Sequence, residues 1–353
     1  MRTKKYEIAR AIDKLKSVVQ KNEAKPALSG ILVKNGYLIS SNSEITIHIR
    51  FKDAEGENFI IPMKAFDLIK NLPDGDMEIS ADENNIVTIK MDKIKNRYQS
   101  YPAGEFIFQD IPVEEENGLI LPGEKLISAI CHVIYAAADN GANGTMNGIC
   151  MESDKEHLNV VALDGHVLAW DKIDVKQEND MKIIVPKTAA KKLVDMGMED
   201  DVELSFDKNH ATFRTDEYAI YSRLIEGNYF TYAKMFKECP IYTIVNRKEL
   251  SDCITRAKMC IRDETPTVFE ISGEELKVSL KDKMADYEEN IQLQKTVEHP
   301  IKIGFSSKLV LETIKAFTSE NITLNFESGV TPMVVEAENS AMKAMVLPVR
   351  LRG

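Results

Sequence analysis

Ile60-Ile61-Pro62-Met63-Lys64-Ala65-Phe66 runs from an extended apolar stretch into the start of a helix, and that shape returns twice in the chain. It recurs as Ile184-Val185-Pro186-Lys187-Thr188-Ala189-Ala190 and as Ile303-Gly304-Phe305-Ser306-Ser307-Lys308-Leu309. In the first two, Pro takes the first helical position, where its missing N–H costs nothing. In the third, Ser306 or Ser307 supplies the N-cap. The spacing is about 120 residues, one domain length. A period of that size means copies of one domain rather than a single large core.

Working outward, a second helix opens each third. Ile8, Ile12, Leu15 and Val19 stand at helical spacing in residues 5–21, as do Leu126, Ile130, Val133 and Ala137 in 123–139, and Leu250, Ile254, Ala257 and Ile261 in 247–262. Alternating apolar runs predict strands at Ser29–Lys34, Glu44–Arg50, Leu158–Leu163 and Leu276–Leu280. Further strands are predicted after each second helix, at Ile86–Met91, Val202–Phe206, Ala211–Thr215, Ile322–Phe326 and Met333–Ala337. Turn-rich or charged gaps near Val113–Gly118 and Lys237–Pro240 separate the thirds. The expected organisation is α+β: three domains over 1–116, 117–240 and 241–353, each with two helices and roughly eight strands.

Composition excludes several classes. Of 353 residues, 44% are hydrophobic and 29% charged, the balance of a folded globular chain. No apolar run approaches the roughly 18–20 residues needed to cross a bilayer, and the N-terminus has no apolar leader, so a cytoplasmic protein is expected. Five scattered cysteines without a C-x-x-C pair, and six dispersed histidines, give no disulfide framework and no metal site. The net charge of −11 argues against nucleic acid until it is located. The six helical windows (5–21, 63–71, 123–139, 186–197, 247–262, 305–319) hold 18 Lys and Arg against 9 Asp and Glu, leaving the rest strongly acidic. Positive charge gathered on helices suits a phosphate-facing surface.

Five stretches go beyond pattern. They are Lys25-Pro26-Ala27-Leu28-Ser29-Gly30-Ile31-Leu32, Asn147-Gly148-Ile149, Val160–Ala169 with its Asp164-Gly165-His166, Ser222–Tyr229 continuing to Tyr232, and Met345-Val346-Leu347-Pro348-Val349-Arg350-Leu351. In order and spacing they resemble the bacterial DNA polymerase III beta subunit family, the sliding clamps, over nearly the whole chain. The resemblance implies three tandem DNA-clamp domains in a head-to-tail homodimeric ring, helices inward, encircling duplex DNA without catalysis or cofactor. It implies as partners the replicative DNA polymerase, an ATP-driven clamp loader and other proteins with a Gln-Leu-x-Leu-Phe-type motif. No Walker-type phosphate loop occurs here, so the motor lies elsewhere.

Residue by residue, the family's partner-peptide cleft maps onto Met146, Leu163, Gly165, His166, Leu168, Met235, Leu347, Pro348, Val349 and Leu351. Its ring contact maps onto Phe106, Phe108, Met259 and Cys260, with Phe106-Ile107-Phe108 alternating as an edge strand would. Lys25 matches a basic pore position, and the helix count adds Arg10, Lys14, Lys191, Lys192 and Arg256 as DNA contacts. The chain departs from the family at Val167, where Arg is frequent, at Phe230, where Pro is frequent, and in the Arg352-Gly353 extension. Two rival readings differ from this one. A hydrolase using Asp164 and His166 lacks a neighbouring nucleophile or metal. A scaffold that binds proteins but never DNA differs only in whether rings stay on circular DNA.

Overall fold

A computed structural model describes residues 1–110, 118–176, 180–260 and 265–351, with Cys260 described by its backbone alone. The first third runs β1 (Arg2–Lys4), α1 (Lys5–Leu15), β2 (Gly30–Lys34), β3 (Tyr37–Ser41), β4 (Ile45–Arg50), β5 (Asn58–Pro62), α2 (Phe66–Asn71), β6 (Asp76–Ala81), β7 (Ile86–Met91) and β8 (Ile94–Gln99). The second repeats that order: β9 (Leu119–Leu121), α3 (Gly123–Val133), β10 (Gly148–Ser153), β11 (His157–Leu163), β12 (Val167–Asp174), β13 (Lys182–Pro186), α4 (Lys187–Met196), β14 (Val202–Phe206), β15 (His210–Arg214) and β16 (Tyr218–Arg223).

The third part holds β17 (Ile241–Asn246), α5 (Arg247–Cys260), β18 (Pro266–Lys281), β19 (Asp286–Ser306), α6 (Ser307–Ala316), β20 (Asn321–Phe326), β21 (Met333–Glu336) and β22 (Lys343–Val346). Its two long strands each do the work of two. Pro266–Ile271 pairs with Ile301–Ser306 as β2 pairs with β5, and Glu275–Lys281 pairs with Asp286–Gln292 as β3 pairs with β4. In the first third, Asn35 and Gly36, both at positive φ, reverse the chain in a two-residue turn between β2 and β3. At the matching place, the register shifts around Gly273 and the strand continues.

The chain forms two compact units, Met1–Glu124 with Lys191–Leu224, and Lys125–Ala190 with Ile225–Gly353. The first contains an eight-stranded antiparallel sheet, β5-β2-β3-β4-β16-β15-β14-β9, and a four-stranded one, β1-β6-β7-β8. The second contains β13-β10-β11-β12-β22-β21-β20-β17 and the β18-β19 hairpin. These units cut across the expected segments 1–116, 117–240 and 241–353, because each large sheet takes half its strands from one repeat and half from the next. The 116/117 boundary itself lies outside the described residues.

Among the described residues, six α-helices fall within the six helical windows expected from the sequence. Helix α1 buries Ile8, Ala11, Ile12 and Leu15 but ends there rather than at residue 21. Val18 and Val19 are buried beyond it in a non-helical turn. No strand forms at Phe106-Ile107-Phe108, contrary to expectation. That alternation records one-sided burial of an irregular segment: Phe106 packs inside with Leu32, Ile39 and Ile60, Phe108 lies against them, and Ile107 is 49% exposed.

Candidate functional site

The repeats meet at two sheet junctions with one backbone design, β4 against β16 and β12 against β22. At the first, Asn42 Oδ1 accepts from the Glu44 and Ile45 amides at 3.1 and 2.9 Å. At the second, Asp164 Oδ1 accepts from His166 and Val167 at 2.8 and 2.9 Å. The turn carbonyl then receives the next repeat's backbone: Arg223 N donates to Glu44 O at 2.9 Å, and Leu347 N donates to His166 O at 2.8 Å. Asp-Gly-His is therefore a side-chain-locked turn, with Gly165 at φ +92. One Asp164 oxygen is committed to backbone amides, and His166 is exposed.

What stands on the second junction is apolar. Leu163 and Leu168 are register partners, and Leu168 is opposite Met345, which is opposite Val334. Alternation along the strands brings Val161, Cys150 and Ile184 to the same face. The segment after β16 lies over them through Tyr229 and Tyr232, and Met146, Trp170, Ile225, Phe230 and Phe236 pack at the half-exposed margin. Trp170 meets Tyr232 edge-on at 5.2 Å and Phe236 at 5.6 Å. Burial raises the Tyr229 and Tyr232 hydroxyls above their usual range and pushes the Cys150 thiol up to about 12. The cluster is inert, apolar surface rather than reactive chemistry.

Of the ten expected cleft residues, Leu163, Leu168 and Met146 belong to this cluster. Gly165 and His166 form its turn, with Leu347 bonded to it. Met235 and Leu347 are exposed, at 40% and 37%. Val349 N donates to Gly304 O at 2.8 Å, and Leu351 lies so close that a Cβ on Gly304 would sit 2.5 Å from its Cδ2. Pro348 is half-buried between them. Arg352-Gly353 lie outside the described residues. Sequence reasoning missed Trp170 and Phe236. Trp170 stands two residues beyond Leu168 on β12, a period-2 signal that would have found it.

The basic positions differ among themselves. Lys25 is exposed, its Nζ 3.3 Å from Ser43 Oγ, and Arg10 and Lys191 are exposed on α1 and α4. Arg10 borders a cleft of about 600 Å³ with Tyr6, Arg50, Lys52 and Tyr218. Lys192 faces Asp195 at 3.4 Å. Lys14 donates to Met196 O at 3.0 Å and Tyr218 Oη at 2.8 Å. Burial, with the Arg10 charge added, lowers its pKa. Arg256 forks onto Glu289, with Nε at 3.0 Å, and Glu289 also takes the Tyr287 hydroxyl. Lys14 and Arg256, expected as DNA contacts, thus each have a partner within the chain.

The expected ring-contact residues separate likewise. Phe106 is 5% exposed and belongs to its own core, so it is not the open surface expected, whereas Met259 is 80% exposed near the end of α5. The Cys260 side chain lies outside the described residues. Among the described residues, no three His, Cys, Asp or Glu are placed to hold a metal, and no helix is long and apolar enough to cross a membrane.

Comparison with known proteins adds to this geometry. The family model described as DNA polymerase III beta subunit, central domain, matches residues 120–230, and the C-terminal domain model matches 237–350. The beta sliding clamp of Staphylococcus epidermidis is 24% identical, covering 98% of this chain and 97% of that protein. That of Bacillus subtilis is 23% identical, covering 96% of each. The crystal structure of the Bacillus subtilis DNA polymerase sliding clamp superposes with a TM-score of 0.91 at 19% identity over 99% of both chains. The Pseudomonas aeruginosa DNA polymerase III subunit beta gives 0.89 at 20% identity, over 99% of this chain and all of that one.

Proposed function

The chain belongs to the bacterial DNA polymerase III beta subunit family, and from that premise we propose how it works: a non-catalytic DNA sliding clamp, closed by two copies around duplex DNA. The observation that carries the reading is the coincidence of two consecutive family domains, at 120–230 and 237–350, with the repeated strand order that extends the same design back through the first third. In this reading the chain is three clamp domains, over 1–116, 117–240 and 241–353.

Retention comes from topology. A closed ring needs only weak, sequence-independent phosphate contacts, which let it slide, while closure prevents escape. Exposed Lys25, Arg10 and Lys191 suit that task best, and Lys192 sits beside them in sequence. Lys14 ties α1 to the end of α4, the helices that present Arg10 and Lys191, and Arg256 ties α5 to β19. The apolar cluster at the β12–β22 junction takes partner peptides of the Gln-Leu-x-Leu-Phe type, from the replicative polymerase, the clamp loader and other replication proteins in the cytoplasm. Leu and Phe anchors would bury against Leu163, Leu168, Met146 and Met235, with Leu347, Pro348, Val349 and Leu351 as the facing apolar wall and Gly165 and His166 at the rim. At the ring contact, Met259 and Cys260 of one copy face the first domain of the other, where Phe106 and Phe108 support the surface from beneath.

The test is retention on DNA. Clamps loaded on nicked circles should survive salt that abolishes binding to short linear duplex, and should leave once the circle is cut. Equal, rapid loss from circular and linear DNA would overturn the reading.

A further inference from the structure

The sheet face that carries the apolar floor changes character along β12, where Leu168, Trp170 and Lys172 follow one another on one side. In the row of Trp170 stand Lys343 of β22 and, next across the sheet, Glu336 of β21. In the row of Lys172 stand Asn159, Glu152 and Lys182, on β11, β10 and β13. The acids of these rows are already taken. Glu152 meets Lys182 at 3.0 Å and accepts the Tyr232 hydroxyl at 3.0 Å, and Glu336 meets Lys343 at 2.5 Å. Asp174, next on the face after Lys172, lies 3.7 Å from His157. Lys172 has no ion-pair partner among the described residues, and its ammonium stands 4.7 Å from the centre of the Trp170 ring.

The ring beneath that charge is fixed. Trp170 Nε1 donates to Asn159 Oδ1 at 2.9 Å, and Tyr232 and Phe236 pack on it with centroids 5.2 and 5.6 Å away. With its single donor spent, the indole offers a ligand only apolar surface, and the hydrogen bonds still to be made belong to the lysine. Because Nζ leans back over the ring, the charge stands about two residues, or some 7 Å, along β12 from Leu168. Half-buried against an apolar ring, it attracts a carboxylate more strongly than a lysine in open water would.

We propose that the cleft ends on this step, Trp170 with Lys172, and that the step selects partner peptides carrying an aspartate or glutamate about two residues from the apolar anchor resting on Leu168. This rests on the cleft reading above and narrows the class of partner. The segment that covers the margin adds the same sign: Lys234 and Lys237, both exposed, flank Met235 and Phe236, against one neighbouring acid, Glu238. A basic residue at that place in a peptide meets the same charge as repulsion, so the step discriminates as well as binds.

The experiment titrates fluorescent Gln-Leu-x-Leu-Phe peptides, with Asp-Asp, Ser-Ser or Lys-Lys added at either end, into the full chain at low ionic strength, where exposed charges are least screened. At one end, which reports the direction of the bound peptide, Asp-Asp should bind about threefold to fivefold tighter than Ser-Ser, and Lys-Lys weaker. That order should persist in Lys172→Arg, flatten in Lys172→Gln and invert in Lys172→Glu, with unfolding midpoints by circular dichroism reporting that each variant is folded. A native chain that binds the core peptide with no preference among flanks at either end overturns the step and leaves the cleft standing. A preference that survives unchanged in both Lys172→Gln and Lys172→Glu assigns the selectivity to other cations and overturns the step as well. A native chain that binds none of the peptides overturns the cleft and the step together.

Discussion

The β4–β16 and β12–β22 junctions carry different side chains on the same backbone. Where the second has Leu163 opposite Leu168, the first has Ser41 opposite Thr46. Where the second has Met345 and Trp170, the first has Tyr221 and His48. Each is covered by the segment that follows its repeat. At the first junction, Phe106 and Phe108 sit over Leu32, Ile39 and Ile60, and Gln109 bonds to the turn-side residues: its carbonyl lies 2.8 Å from His48 Nε2 and its amide donates to Thr46 Oγ1 at 3.4 Å. At the second, Tyr229 and Tyr232 cover the floor but leave Met146, Phe230 and Phe236 half-exposed, with Met235 and Leu347 open. A strap fastened by hydrogen bonds closes one junction, whereas an apolar margin leaves the other adhesive. One duplicated design is thus closed over in one place and left open in the other.

The largest expected effect breaks the closed junction. Phe106→Ala should destabilise the first unit by about 3–5 kcal/mol, the usual cost of emptying a buried aromatic site. Urea unfolding followed by circular dichroism checks it. A loss below about 1 kcal/mol would mean that Phe106 is surface after all, as the sequence alone had suggested.

The open junction should behave in reverse. Met235→Ala with Leu347→Ala should leave the unfolding midpoint nearly unchanged, because both side chains are exposed. Affinity for a fluorescent Gln-Leu-x-Leu-Phe peptide should fall about thirtyfold or more, the loss of one anchor of about 2 kcal/mol being enough. Fluorescence of Trp170, the chain's single tryptophan, reports the same site directly. Undiminished affinity would move the peptide elsewhere.

A smaller effect is electrostatic. Burial holds the His48 imidazole below the usual histidine range, against a raising pull from its bond with Gln109. Its folded pKa is therefore lower than its unfolded value of about 6.5. The unfolded chain binds the extra proton, so this contribution is complete above about pH 6.5 and is lost as pH falls below it, by at most about 1.4 kcal/mol per unit. The second junction has Trp170 in that place and nothing to titrate. His48→Phe should flatten the pH dependence of unfolding between pH 5 and 7, and an unaltered slope would assign the acid sensitivity to another group.

The repeat, the six helices and most strands were legible because periodicity survives in local sequence, as at Ile8, Ile12 and Leu15. The apolar floor was legible too, through Leu163 and Leu168. What sequence could not reveal was pairing over distance. Lys14 reads as a free cation until Tyr218, 204 residues away, takes its ammonium, and Arg256 until Glu289 does. Phe106 and Phe108 read as a strand because alternation reports which side is buried and says nothing of whether a neighbour strand exists. Trp170 was overlooked for the opposite reason, since its period with Leu168 was plain and only its role as margin was not.

The smallest effect sharpens the comparison at its centre. Ser41 Oγ and Thr46 Oγ1 lie 3.0 Å apart, buried, at the place of Leu163 and Leu168. Thr46→Val alone leaves the Ser41 hydroxyl with only its 3.3 Å bond from the Ser43 amide and should cost about 1–3 kcal/mol, the penalty of a buried polar group deprived of a partner. Ser41→Ala with Thr46→Val removes both hydroxyls together, so the pair should cost less than about 1 kcal/mol in total. The Gln109 amide, on an exposed residue, finds water in exchange. A double-mutant cycle measured by urea unfolding gives the coupling. If the double variant is no better than Thr46→Val, the hydroxyl pair is not what distinguishes the two floors, and the strap through Gln109 and His48 alone keeps the first junction closed.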